Sequence, residues 1–136
     1  MTFTPVVVGL PIADRRRSHD FYRQVLGVDA VGRPGDDGLA EPLQFPLNDG
    51  VRLMLIPSGG FGWVISPRAV ADDKTSECVV TVFADDEAGV DALTRRARGA
   101  GAAIVSEPGT QSWAYTATFT DPDGHLWSVM KRPDEG

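Results

Sequence analysis

Few residues in this chain could do acid–base or metal chemistry. Its 136 residues include two histidines, His19 and His125, and one cysteine, Cys78. A lone cysteine excludes an intrachain disulfide and a four-cysteine zinc site. His19 precedes Asp20 in the helical pattern SHDFYRQVLG and reads as a solvated helix residue. His125 follows Asp121-Pro122-Asp123-Gly124 and reads as a hydrogen-bonding residue of a hairpin. Cys78 alternates with Val80 and Val82, so a buried, inert thiol is expected. Among the carboxylates, Asp85-Asp86-Glu87 suits a helix start, where negative charge is favourable. Asp121 and Asp123 are turn formers first. Asp36-Asp37 lies in the glycine-rich stretch GRPGDDGLAEP and is expected to be solvated, able to lend rim charge to a cationic ligand. A metal-independent isomerase, epimerase or cyclase would have to act through a lone acid such as Glu77 or Asp49.

The aromatics are better placed for binding. Phe61 and Trp63 sit in SGGFGWVISP, and Trp113 and Tyr115 precede the run that leads to the DPDG turn. A tryptophan in a loop is costly to leave in water, so it covers a partner or lines a pocket. Trp127 alternates toward the core. By the same alternation Met54, Ile56, Thr81, Phe83, Thr118 and Ser128 face a cavity, with Gln44 as a polar contribution. An apolar lining with scattered hydroxyls suits a small organic molecule. The expected ligand-binding residues are therefore Gln44, Met54, Phe61, Trp63, Phe83, Trp113, Tyr115, Thr118 and Ser128, with stacking on Trp63, Trp113 and Tyr115.

These residues must be held by a repeat. VVVGLPIADRRRSHDFYRQVLG, from Val6, aligns with CVVTVFADDEAGVDALTRRARG, from Cys78. LQFPLNDGVRLML (Leu43–Leu55) aligns with ATFTDPDGHLWSV (Ala117–Val129), which sets Asp49-Gly50 opposite Asp123-Gly124. Two βαβββ modules follow, about 1–60 and 76–132, with a linker at about 61–75, together one domain over 1–136. Asp14 and Asp85/Asp86 are candidate N-caps and Gly27 a C-terminal stop. Phe21, Tyr22, Val25 and Leu26 form one apolar helical stripe, and Val90, Leu93 and Ala97 the other. Asn48-Asp49-Gly50 and the DPDG segment are hairpin turns.

Composition narrows the partners. Thirteen Lys+Arg against nineteen Asp+Glu give a net charge of −6. That balance, with Arg15-Arg16-Arg17 too short and lacking interleaved aromatics, argues against nucleic acid. No apolar run approaches the roughly 18–20 residues of a membrane span, and MTFTPVVVGLP lacks a basic n-region, so a cytoplasmic protein is expected.

With its paired modules, the DFYRQVLG helix and DPDGHLWSVM near its end, the sequence resembles the vicinal oxygen chelate superfamily of glyoxalase I, bleomycin resistance proteins and extradiol dioxygenases. The likeness runs from about Val6 to Lys131. It implies an α+β fold in which two βαβββ modules form a curled, eight-stranded mixed sheet around a cavity, commonly in a homodimer. It also implies that enzymes of this kind hold a metal ion on two first-strand and two last-strand residues. Carried onto this chain, those positions are Val7, Val79, Met54 and Ser128. Valine has no lone pair, methionine is a soft donor and a neutral hydroxyl does not balance a divalent charge. The expectation is a metal-free and cofactor-free binding protein, which sequesters an aromatic or cationic antibiotic-like ligand. A metal-dependent lactoylglutathione lyase or extradiol dioxygenase, or a metal-independent isomerase on the same fold, are the enzymatic alternatives.

Overall fold

The computed structural model describes residues 2–134. The chain divides into two compact units, residues 1–72 and 73–136, at a point within the expected inter-module segment.

In the first unit, strand β1 (Val6–Ile12) leads to helix α1 (Arg15–Leu26), then to the hairpin β2 (Leu43–Asn48) and β3 (Val51–Pro57). β1 lies parallel to β3 and β2 antiparallel to it, giving the order β1-β3-β2. The helix starts where Asp14 accepts a hydrogen bond from the Arg17 amide, and it ends at Gly27, whose φ of 70° suits a residue without a Cβ. Its apolar stripe packs Phe21, Tyr22 and Val25 against Leu43, Phe45, Leu53 and Leu55, all essentially without solvent contact. Phe21 and Tyr22 meet edge to face at 5.0 Å, and Tyr22 lies 6.0 Å from Phe45.

In the second unit, β4 (Val79–Ala84) precedes helix α3 (Glu87–Gly99), followed by β5 (Ala103–Thr110), β6 (Tyr115–Thr120) and β7 (Leu126–Lys131). The order is β4-β7-β6-β5, with β4 parallel to β7 and the rest antiparallel. Asp86 caps α3 by accepting from the Gly89 amide. The buried stripe is Val90, Thr94 and Ala97, with Leu93 only half-buried. Thr94 is accommodated because its hydroxyl donates to the Val90 carbonyl. Against this stripe lie Ala117, Phe119, Trp127 and Val129, with Phe119 and Trp127 stacked at 6.5 Å and 4°. The turn after β6 is closed by Asp121, whose carboxylate accepts from the amides of Asp123 and His125.

The α+β class and the two-module plan are as the sequence implied, but among the described residues the strands number seven, three in one sheet and four in the other, rather than eight. The counterpart of β5 in the first unit is reduced to isolated bridges, Val31↔Gln44 and Pro34↔Ala40. The cause is local: Pro34 has no amide to donate, and Gly32 turns the chain with a φ of 123°. The residues 58–65, five of which were expected to belong to a linker, fold as the short helix α2 (Ser58–Ile65). It forms despite three glycines, seated at the ends of β1 and β3, with the Ser58 hydroxyl donating to the Ile12 carbonyl. Cys78 is exposed rather than buried, because it precedes β4 and lies beyond the cover of α3.

Candidate functional site

Each sheet has one face under its helix and one face turned away. In the first unit the open face carries Val7 and Gly9 of β1, Arg52, Met54 and Ile56 of β3, and Gln44 of β2. Gln44 stands directly across from Met54, and its Oε1 is buried with no hydrogen-bond partner among the described residues. Such an acceptor loses its water without recovering a bond, so it suits a donor brought by a ligand. Phe61 and Trp63 are carried by α2, the first half-buried and the second 82% exposed. Asp37 is exposed, as expected, and is also engaged by Arg15, whose Nε and Nη2 donate to the two carboxylate oxygens at 2.8 and 3.1 Å. These hydrogen bonds, with that of the Leu39 amide, hold the Asp37 carboxyl below the usual carboxylate range. The ion pair pins the 33–41 loop to α1.

The second unit contains a groove of about 470 Å³. Its walls include Phe83 from β4, Trp113 from the β5–β6 turn, Tyr115 and Met130, with Glu87 from the first turn of α3. Phe83 and Trp113 are 53% and 67% exposed, a large apolar surface left open to water. The turn that presents Trp113 is closed by the Gln111 amide donating to the Ala114 carbonyl. Tyr115 points its hydroxyl away to α3, where it donates to Asp91 at 2.6 Å. That bond, with burial and the charges of Asp91 and Glu87, pushes the phenol up to about 12. Tyr115 therefore contributes a fixed, neutral ring wall and no proton. The two cations on the groove each face an acid: Lys131 lies 3.8 Å from Asp134 and Arg132 lies 3.6 Å from Asp85.

The structure thus brings Phe83, Trp113 and Tyr115 into one groove. Thr118 and Ser128 stand opposite each other on the same sheet, and Gln44 and Met54 opposite each other on the sheet of the first unit. Glu87 and Met130 were missed by sequence reasoning. Met130 was legible, since it follows Ser128 by two residues on the same strand face. Glu87 was absorbed into the helix start.

Of the isolated acids weighed for an isomerase, Glu77 and Asp49 are both exposed, one ahead of β4 and one in the β2–β3 turn. Neither sits in the groove. The four positions that the resemblance assigns to a metal ion lie in equivalent registers. Val7 pairs with Arg52, two residues before Met54, and Val79 pairs with Leu126, two before Ser128. These side chains do not fit a divalent ion: they supply one neutral hydroxyl, one thioether and no nitrogen. Among the described residues no group of three or more His, Cys, Asp or Glu is placed to hold a metal.

Two open-faced modules of this topology, each with its helix on one side, define a family. A model of the Glyoxalase/Bleomycin resistance protein/Dioxygenase superfamily matches residues 4–129, and the chain belongs to that superfamily. Among solved structures it is similar to the hypothetical protein SA1046 from S. aureus, at 24% identity and TM-score 0.80 over 97% of this chain and 95% of that one. It is similar to a glyoxalase-related enzyme from Fulvimarina pelagi at 22% identity and TM-score 0.80, over 94% and 87% of the two chains. It is also similar to TnmS3, an antibiotic binding protein from Streptomyces sp. CB03234, at 25% identity and TM-score 0.65 over 98% and 99%. A comparison with curated proteins finds no match. No helix among the described residues is long and apolar enough to cross a membrane.

Proposed function

We propose that this chain is a metal-free binding protein that sequesters a small aromatic, cation-bearing, antibiotic-like molecule, acting as a homodimer in the cytoplasm. The observation that carries this reading is the groove of the second unit, where Phe83 and Trp113 are half or more exposed beside Met130 and Tyr115. Exposed aromatic walls gain most when a flat ligand removes them from water, and they also attract a cation over the ring face. Glu87 on the groove and the net charge of −6 favour a positive ligand. The neighbour TnmS3, similar over its whole length, is an antibiotic binding protein. The side chains of Val7, Val79, Met54 and Ser128, which do not fit a divalent ion, support the metal-free part of this reading.

Calorimetric titration of the purified protein with bleomycin and with proflavine tests this. Binding of at least one at micromolar Kd is expected, weakened roughly tenfold or more in Trp113→Ala, the size of a lost central aromatic contact. Absence of binding to both, or equal binding by the variant, sinks the reading. Stoichiometric metal in the purified protein would overturn its metal-free part.

A further inference from the structure

We propose that the groove continues into a second subsite, a row of hydroxyls that selects ligands carrying neutral oxygen substituents on the aromatic system. This rests on the binding reading above and adds the ligand's chemical class to it. The strand registers set Thr81 opposite Ser128, Ser128 opposite Thr118, and Thr118 opposite Ser106. One hydroxyl from each strand of the four-stranded sheet thus falls in a single line across its open face. With strands about 4.8 Å apart, the line is about 14 Å long.

The row adjoins the groove directly. Phe83 and Met130, which line the groove, oppose each other two residues beyond Thr81 and Ser128. Same-face neighbours on a strand are separated by about 6.7 Å, roughly one substituted aromatic ring. A ring lying over Phe83 and Met130 would therefore direct its edge substituents at Thr81, Ser128 and Thr118.

The hydrogen-bonding state of the row points to neutral oxygen. Thr116 gives its only hydroxyl proton to the Val129 carbonyl at 2.9 Å, so in its 3.4 Å contact with Ser128 the serine is the donor. Ser128, 6% exposed, thus retains lone pairs as acceptors. Among the described residues the hydroxyls of Thr81, Thr118 and Ser106 have no hydrogen-bond partner, and all three are half-buried. The row can both donate and accept, as a ligand hydroxyl or carbonyl requires. It contains no cation, so a carboxylate or phosphate entering it would be desolvated without compensation.

The test is a matched ligand pair on the full chain: 2,6-dihydroxynaphthalene and 2,6-dimethylnaphthalene, alike in shape and read by quenching of tryptophan fluorescence. Wild type is expected to bind the diol about tenfold more tightly, the equivalent of one to two net hydrogen bonds. In the near-isosteric double variant T81V/T118V that ratio should fall close to one. S106A, at the sheet edge, should lower it less. Near-UV circular dichroism of the Phe119–Trp127 stack reports whether each variant is folded, and T81A/T118A replaces the valine variant if it is not. A ratio near one in wild type, or a ratio retained in the folded double variant, overturns the row's role while leaving the groove reading standing. Binding of neither naphthalene overturns the row's role, while the groove reading is decided separately by the titrations with bleomycin and proflavine.

Discussion

The two units are built on one plan and diverge on the same side of it. Under the helices they agree closely: Asp14 and Asp86 cap α1 and α3, and the first strand pairs parallel to the last in equivalent register. On the open faces they differ. The first unit presents Val7, Gly9, Arg52 and Met54, with Gln44 holding an unpaired buried oxygen. The second presents a hydroxyl row and an aromatic groove. They also differ at the strand after the helix, complete as β5 in one unit and replaced in the other by a loop held by Arg15. The core side of a repeat is constrained by packing, where a lost methylene is felt, whereas the open side is free to change its chemistry.

The equivalent turn glycines offer the largest test of that comparison. Gly124 has a φ of 85°, and a Cβ built on it would lie 2.1 Å from the Asp73 carbonyl oxygen. Its counterpart Gly50 has only the Asn48 side chain nearby, at 3.9 Å. Gly124→Ala is expected to destabilise by about 3 kcal/mol or more, combining left-handed backbone strain with displacement of a neighbouring segment. Gly50→Ala should stay within about 0.5 kcal/mol. Urea unfolding of both variants measures the difference. Equal effects would show that the second turn is not fixed by the segment at Asp73.

This asymmetry also shows what was legible in the residues. The caps Asp14 and Asp86, the stop at Gly27 and both hairpin turns follow from local chemistry within a few residues, and each was read directly. The pairing of Val7 with Val79 came from the repeat, and the strand registers reproduce its offset. The groove was out of reach as an assembly, because Phe83, Trp113 and Met130 come from separate strands and a turn, and nothing local marks them as neighbours. Phe83, Trp113 and Tyr115 were singled out individually, for alternation or for being aromatic near a turn. Helix α2 was hidden by its glycines, since its formation depends on a seat at the ends of β1 and β3. The pairing of Asp37 was hidden because its partner, Arg15, lies 22 residues away.

That clasp supplies the next prediction. Because Arg15 lowers the Asp37 pKa, the interaction contributes stability above the unfolded carboxylate value of about 4 and loses it as pH falls through the depressed folded value. The Leu39 amide donates to Asp37 Oδ1 at 3.0 Å and reports the proton's arrival. Its NMR shift should titrate well below pH 4 in wild type and move up toward 4 in Arg15→Met. The variant should also exchange the amides of Gly35 and Gly38 faster, with the β5 amides of the second unit unaffected. If the midpoint stays where it was, the loop is held by its backbone bonds, such as Gly35 to Leu39, and the contrast with β5 is one of ladder alone.

The smallest effect concerns the groove wall itself. Tyr115 and Asp91 form a pair in which the phenol hydroxyl donates to the carboxylate at 2.6 Å, so ionising the tyrosine would set two negative charges against each other. A raised pKa means that the folded state keeps the proton more firmly than the unfolded chain does. The contribution is therefore fully present below pH 10, and it fades as pH rises toward about 12. Absorbance at 295 nm should show this tyrosine titrating near 12, with the step assigned by its loss in Tyr115→Phe. In Asp91→Asn the step should shift toward 10, the value of a free phenol. The same variant bears on the difference between the faces: Tyr115 reaches toward α3 while Phe83 and Trp113 stand open. If Asp91→Asn weakens proflavine binding as much as Trp113→Ala does, the wall depends on its anchor to the helix, and the core and open sides of this unit are coupled. If binding is unchanged while the phenol titration shifts, the helix side holds the ring without tuning the groove.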